Sequence, residues 1–63
     1  MRWKLKEARI NADLTQRRAG ELIGKTESHY SKIERGEVDL RATEALVLCN
    51  NFNLSLAELL EEA

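Results

Sequence analysis

The sequence predicts an all-α domain of five short helices, in which the second and third form a helix-turn-helix. Apolar residues recur at helical spacing on both sides of a break at Gly24, with Leu22 and Ile23 before it and Tyr30 and Ile33 after it. The chain has no proline, and no segment alternates strictly with β-branched residues, so we expect no sheet. Its 63 residues leave room for one small core, and we expect residues 1–63 to form a single helix-turn-helix domain.

The first predicted helix runs from about Arg2 to Asn11. Leu5, Ala8 and Ala12 follow one another at helical spacing and are expected on its inward face.

The second and third helices are predicted from their end signals. Thr15 and Thr26 are good N-caps, because a threonine hydroxyl accepts a bond from an unpaired N–H at a helix start. Gly24 ends the second helix, and Gly36 ends the third where a left-handed residue is needed. Two helices joined by a tight glycine-containing turn form the geometry that places one helix in a DNA major groove.

The fourth helix is predicted from near Arg41 to about Asn51, and Asn53 is expected to end it in the left-handed conformation. Its predicted apolar side consists of Ala42, Ala45, Leu46, Leu48 and Cys49. Ser55 is expected to cap a fifth helix, with Glu58 three residues later in the capping-box position.

The charges divide unevenly along a chain whose formal net charge is −1. Residues 1–36 carry nine basic and five acidic side chains, a net of +4, whereas residues 37–63 carry one and six, a net of −5. Because phosphate affinity depends on the local patch, the near-neutral total does not exclude nucleic acid. If the chain binds DNA, the N-terminal half is the half that faces it.

Composition argues against several other classes of protein. One histidine, one cysteine and no glycine-rich phosphate loop leave no catalytic or metal-binding motif, so we expect neither an enzyme nor a cofactor. No apolar run approaches the roughly 20 residues of a membrane span. The start of the chain lacks the features of a signal peptide, and the single Cys49 fits a reducing cytoplasm.

Five sequence features together indicate a family. They are Arg9 in the first helix, LTQ at 14–16, Gly24, SKIERG at 31–36 and NLSLAELL at 53–60. On these residues the chain resembles, from Leu5 to Leu60, the lambda-repressor-like Cro/CI (XRE-type) helix-turn-helix family. The resemblance implies a transcriptional regulator, more often a repressor, with the third helix as the DNA reader. It also implies an ion pair between Arg9 and Glu34 that ties helix 1 to the end of helix 3.

By the family's pattern, the residues expected to read bases are Glu27, Ser28 and Lys32 in the third helix, at about 27–35. Lys32 suits guanine O6 and N7, Glu27 can accept from cytosine N4, and Ser28 can contact several bases. His29 lies at the edge of the same face. Each of these four residues could instead be an ordinary exposed polar residue. For Glu27 in particular, an acid in the first turn of a helix is favoured by the helix dipole whether or not it contacts DNA.

Contacts to the phosphate backbone are expected from five residues near this surface. Gln16 would act through its side chain and the free N–H groups at the start of helix 2. The others are Arg17, Lys25, Arg35 and Arg41. For each basic residue, a solvated charge is the alternative.

Two apolar groups have open assignments. Phe52, Leu54 and Leu56 flank the connection between helices 4 and 5, which in this family commonly forms the two-fold contact of a homodimer. Trp3 and Ile10 are two turns apart and share a face of helix 1 that differs from its inward face. Packing of Trp3 under the C-terminal helix is one explanation, and a surface for a partner is the other.

A rival function is a protein-binding module, such as an antitoxin or a partner-binding domain with little DNA affinity. The acidic C-terminal half favours it, as do Glu37 and Asp39 in the loop after helix 3. The basic N-terminal half and the polar face of helix 3 favour double-stranded DNA.

Overall fold

The computed structural model describes residues 1–62, and within them the secondary structure consists of five α-helices and no strand. The helices are α1 (Trp3–Asn11), α2 (Gln16–Leu22), α3 (Glu27–Arg35), α4 (Ala42–Phe52) and α5 (Leu56–Glu61). The all-α, five-helix prediction is confirmed. No helix within the described residues is long and apolar enough to cross a membrane.

Three helices begin at the predicted hydroxyl caps. Thr15 Oγ1, Thr26 Oγ1 and Ser55 Oγ each accept a backbone N–H at 3.1 Å from the residue three positions later. Gly36 and Asn53 take the left-handed conformation at the ends of α3 and α4. These helix ends are therefore encoded locally: the three hydroxyls satisfy backbone N–H groups that a helix start leaves unpaired, and Gly36 and Asn53 tolerate the positive φ at which a helix ends.

The core lies between the helices and takes one or more side chains from each of them. Its buried apolar members are Leu5, Ala19, Tyr30, Ile33, Ala45, Leu48, Cys49, Phe52 and Leu59. The half-buried Ala8 and Ala12 pack against it, as predicted for the inward face of α1. Leu46 and Ala42 are exposed, however, so the predicted apolar side of α4 is too wide: its inward stripe is Ala45, Leu48, Cys49 and Phe52.

Long-range bonds tie the two ends of the described chain to other helices. The Arg2 backbone N–H donates to Glu34 O at 2.7 Å, and Arg2 Nη1 donates to Ile33 O at 2.5 Å and to Val38 O at 3.1 Å. Arg2 thus satisfies carbonyl groups at the C-terminal end of α3, where a cation is favoured.

At the opposite end of the chain, the Glu62 carboxylate accepts the backbone N–H of Lys4 at 2.7 and 2.8 Å and that of Leu5 at 3.3 Å. Since α1 has no side-chain cap of its own, Glu62 supplies this cap from 58 residues away in sequence. The first helix is therefore held at its start by the last turn of the described chain.

Candidate nucleic-acid interface

The turn between α2 and α3 is built on two glycines. Gly24 adopts a left-handed φ of 70°, and the Lys25 N–H donates to Gly20 O at 2.9 Å. A Cβ on Gly20 would lie 2.9 Å from the carbonyl oxygens of both Lys25 and Thr26. The backbone of the turn can lie this close to α2 only because Gly20 has no side chain. The two helices are thereby fixed as one helix-turn-helix unit.

The third helix separates sharply into two faces. Tyr30, Ile33 and Glu34 are buried, whereas Ser28 and Lys32 lie on the opposite, exposed side. Glu27 is also exposed, in the first turn, and His29 is half-buried between the two faces. Of the four predicted base-reading residues, Ser28 and Lys32 therefore lie on the outer side of α3, Glu27 is exposed at its first turn, and His29 lies at the edge of the outer side.

A buried polar network beneath this surface links three helices. Arg9 Nε lies 2.6 Å from Glu34 Oε2, and the two side chains are only 10% and 1% exposed. Gln16 Nε2 donates to the other carboxylate oxygen, Glu34 Oε1, at 3.2 Å, and Arg9 Nη1 donates to Leu14 O at 2.8 Å. Glu34 thus connects α3 to α1 and to the first residue of α2, and it fixes the orientation of the exposed α3 face.

The hydroxyl of Tyr30 is a further buried polar group, and it lies beside this network. This hydroxyl is fully buried and has no hydrogen-bond partner among residues 1–62. Burial, reinforced by the neighbouring Glu34, raises the pKa of the Tyr30 phenol far above its ordinary value. The ring therefore remains neutral and acts as a core side chain.

The predicted phosphate-binding residues differ in how free their charges are. Arg17, Lys25 and Arg41 are exposed, and their charged groups form no ion pair within residues 1–62. Arg35, in contrast, lies 2.7 Å from Glu37 and also donates to Ser31 Oγ at 3.1 Å. The Arg35–Glu37 pair is half exposed, so the solvent screens it and it holds Arg35 only weakly.

Two predicted site residues have structural partners as well. The Gln16 amide is bonded to Glu34, but an NH₂ group has two donors, so one remains for another acceptor. Arg41 is the N-cap residue of α4, and its backbone N–H donates to Glu44 Oε1 at 3.0 Å, which leaves the guanidinium exposed.

Only one of the three residues expected at a dimer contact is exposed. Phe52 is 3% exposed and belongs to the core, because it lies on the same inward stripe of α4 as Leu48. Leu54 is half-buried against the core, and only Leu56 is exposed. The apolar surface of this region is instead a groove between α4 and α5, lined by Arg2, Leu40, Ala42, Ala45, Leu46, Leu56, Leu59 and Leu60.

Sequence reasoning missed two residues that position the site. Arg2 holds the last turn of α3, and Glu62 holds the first turn of α1, which in turn carries Arg9. Both act across more than 30 positions of sequence, so local propensity gives no signal for either. An N-terminal arginine and a run of C-terminal acids indicate only exposed charge until the tertiary contacts are known.

The two helices joined by the tight glycine-containing turn form a helix-turn-helix, and the outer face of the second helix is polar and partly basic. The family model described as "Helix-turn-helix" matches residues 5–59, which is most of the chain. The chain belongs to this family, that of XRE-type, Cro/CI-like DNA-binding regulators, and members are typically not enzymes. No curated protein and no solved structure shows significant similarity to it.

Proposed function

We propose that this chain is a cytoplasmic repressor that binds a specific double-stranded DNA sequence with α3 in the major groove. The observation that carries the proposal is the exposed face of α3, with Ser28 and Lys32 open to solvent above the buried Arg9–Glu34 pair. Base readers must be presented by a helix whose orientation is fixed, and the network supplies that orientation. Repression is expected by occlusion, as in small members of the family.

In this proposal the exposed residues divide into two roles. Glu27, Ser28, His29 and Lys32 contact base edges, while Gln16, Arg17, Lys25, Arg35 and Arg41 contact phosphates. The net charge of +4 over residues 1–36 supports this division, because the same half of the chain contains both sets except Arg41.

The proposal is tested by selecting a random pool of double-stranded DNA with this chain and then titrating salt on the enriched sequence. Lys32→Ala is expected to cost about 1–3 kcal/mol at one base pair and to relax specificity there. The matched control is Arg17→Ala, which removes an unpaired charge from α2: it is expected to weaken all sequences alike and to reduce the salt slope by about 0.9. If the two variants rank a set of sites identically, Lys32 does not read bases.

We propose further that the chain binds DNA as a homodimer, through the groove between α4 and α5. Leu46, Leu56 and Leu60 are exposed apolar side chains along this groove, and Leu56 lies in the region where the family resemblance implies the dimer contact. A dimer would place two copies of α3 about 34–36 Å apart, so the selected DNA should be a palindrome with half-sites one helical turn apart. Leu46→Glu should abolish the dimer in sedimentation while preserving the helical circular dichroism.

The second candidate function is a protein-binding module. The observation that favours it is the Arg35–Glu37 pair, because an acid in the loop after α3 lies beside a cation of the α3 surface and competes with phosphate for it. If the folded chain enriches no sequence at low salt, this function replaces DNA binding. The acidic residues 37–62 are then the first surface to examine for a protein partner.

A further inference from the structure

A stripe on the outer side of α1 is not used by the core or by the proposed DNA surface. It consists of Trp3, Lys6, Glu7 and Ile10, and we refer to it as the α1 stripe. Trp3 is 64% exposed and Ile10 is 54% exposed, so Trp3 does not pack under the C-terminal helix, and that interpretation is wrong. The Lys6 ammonium lies 5.7 Å from the centre of the Trp3 ring and covers part of it, but most of the ring still faces solvent.

The four side chains lie on one side of the helix because of their spacing. Positions 3, 6, 7 and 10 follow the i, i+3, i+4, i+7 pattern, which repeats along a single helix face. The buried residues Leu5 and Arg9 lie on the other side of α1. The α1 stripe therefore faces away from the domain and has an apolar residue at each end and an opposite charge pair in the middle.

We propose that the α1 stripe is a self-association surface, on which a second copy of this chain places its own α1 in antiparallel orientation. A two-fold axis between positions 6 and 7 brings Trp3 of one copy against Ile10 of the other. The same axis places Lys6 of each copy opposite Glu7 of the other. The stripe is thus complementary to itself in both apolar contact and charge, which is the requirement for a two-fold interface.

The size of the stripe limits how tightly it can associate. The nine residues of α1 span only about 13 Å, and a stable interface needs about 800 Å² per partner, which one helix of this length does not provide. The contact is therefore weak in free solution and becomes important where copies are held close together. On DNA, it would join chains bound at neighbouring sites and make their binding cooperative, a consequence that depends on the DNA binding proposed above.

The experiment uses the single tryptophan as its reporter and omits DNA, so it does not depend on the proposed function. Trp3 is the only tryptophan of the chain, and its emission reports directly whether the stripe is covered. Emission spectra and sedimentation are recorded from about 10 μM to about 1 mM chain, a range suited to weak association. The expected result is a shift of the emission to shorter wavelength as the concentration and the sedimentation coefficient rise.

Charge reversal then tests the antiparallel register. Lys6→Glu places two carboxylates opposite each other, and Glu7→Lys places two ammonium groups opposite each other, so each variant alone should associate about tenfold more weakly. In a mixed dimer of the two variants, the two carboxylates of one chain lie opposite the two ammonium groups of the other. An equimolar mixture should therefore restore association. Circular dichroism of each variant shows that it is folded.

Leu46→Glu provides the control for the groove between α4 and α5. It should leave the Trp3 shift unchanged, because that groove is separate from the α1 stripe. The proposal is overturned if Trp3 emission stays at the solvent-exposed wavelength at all concentrations. It is also overturned if the mixture of the two charge variants associates no better than either variant alone.

Discussion

Removing the carboxylate of Glu34 should destabilise this domain more than any change to its surface charges. Glu34 holds Arg9 Nε at 2.6 Å and Gln16 Nε2 at 3.2 Å, and its side chain is 1% exposed. Glu34→Ala would leave the Arg9 guanidinium buried without a counter-charge. Breaking a buried pair in this way costs about 3–5 kcal/mol, because the remaining charge cannot return to water.

This cost is large compared with the stability available. At about 0.05–0.15 kcal/mol per residue, a chain of 63 residues unfolds with a free energy of only about 3–9 kcal/mol. Glu34→Ala should therefore lose at least about a third of the unfolding free energy, and at the lower end of the range it should be unfolded at 25 °C. The double variant Arg9→Met/Glu34→Met removes both charges and should lie within about 1 kcal/mol of the natural chain or exceed it.

Urea denaturation followed by circular dichroism measures these differences, with Glu34→Gln included because it keeps the shape of the side chain. The control is Glu21→Ala, which removes the exposed Arg18–Glu21 pair and should change stability by less than about 0.5 kcal/mol. The single variants Arg9→Met and Glu34→Met complete the cycle with the double variant. If each of them loses less than about 1 kcal/mol and the losses add in the double variant, the two charges are not coupled and the reasoning is refuted.

Three other perturbations test separate parts of the fold. Gly20→Ala should lower the unfolding free energy by about 1 kcal/mol, because the new Cβ would meet two carbonyl oxygens at 2.9 Å. This loss should outweigh the higher helix propensity of alanine. A rise in the urea midpoint would contradict this expectation. Glu62→Ala removes the cap of α1 and should lower the unfolding free energy by about 1 kcal/mol. The amide protons of Lys4 and Leu5 should then exchange faster with solvent. Unchanged exchange would show that the cap does not form in solution. Cys49 should react with a thiol reagent only as fast as the domain opens, because its side chain is buried and a reagent cannot reach it in the folded state. Burial also raises the pKa of its thiol, which slows the reaction further. Rapid labelling without urea would contradict this burial.

Acid should weaken the contact between α1 and α5 through Glu61. Its hydrogen bond and charge interaction with Lys4, 2.8 Å away, lower the pKa of this carboxyl below its ordinary value. A depressed carboxyl pKa stabilises the folded state above the unfolded pKa, and the effect is lost as the pH falls through the folded pKa. Both side chains are exposed, so solvent screens the pair and the expected change is small. Glu61→Gln should remove it from a pH series of melting temperatures.

The parts of the fold that could be predicted from sequence are those with local causes. Thr15, Thr26 and Ser55 bond to backbone groups three positions away, so their roles can be recognised without knowing the tertiary structure. Gly36 and Asn53 end helices for an equally local reason, since both tolerate positive φ.

The errors came from apolar residues whose partners lie far away in sequence. Helical periodicity places Phe52 and Leu46 on α4, but it does not show that the core covers Phe52 and leaves Leu46 exposed. Likewise, the spacing of Trp3 and Ile10 shows that they share a face and cannot show whether another element covers it. In the candidate site, the base-reading and phosphate-binding residues stay predictions, because the geometry of α3 shows where they point and not what they bind.

The position of Met1 matters for how this chain is produced and measured. The Met1 backbone nitrogen lies 3.8 Å from the place a Cβ would take on Gly36, at the residue that ends α3. A purification tag fused directly before Met1 would therefore emerge beside the loop that follows the proposed reading helix, next to Arg35 and Glu37. An affinity measured on such a fusion would include the charge and bulk of the tag, so a tag-free chain is the appropriate material for every DNA-binding experiment described above.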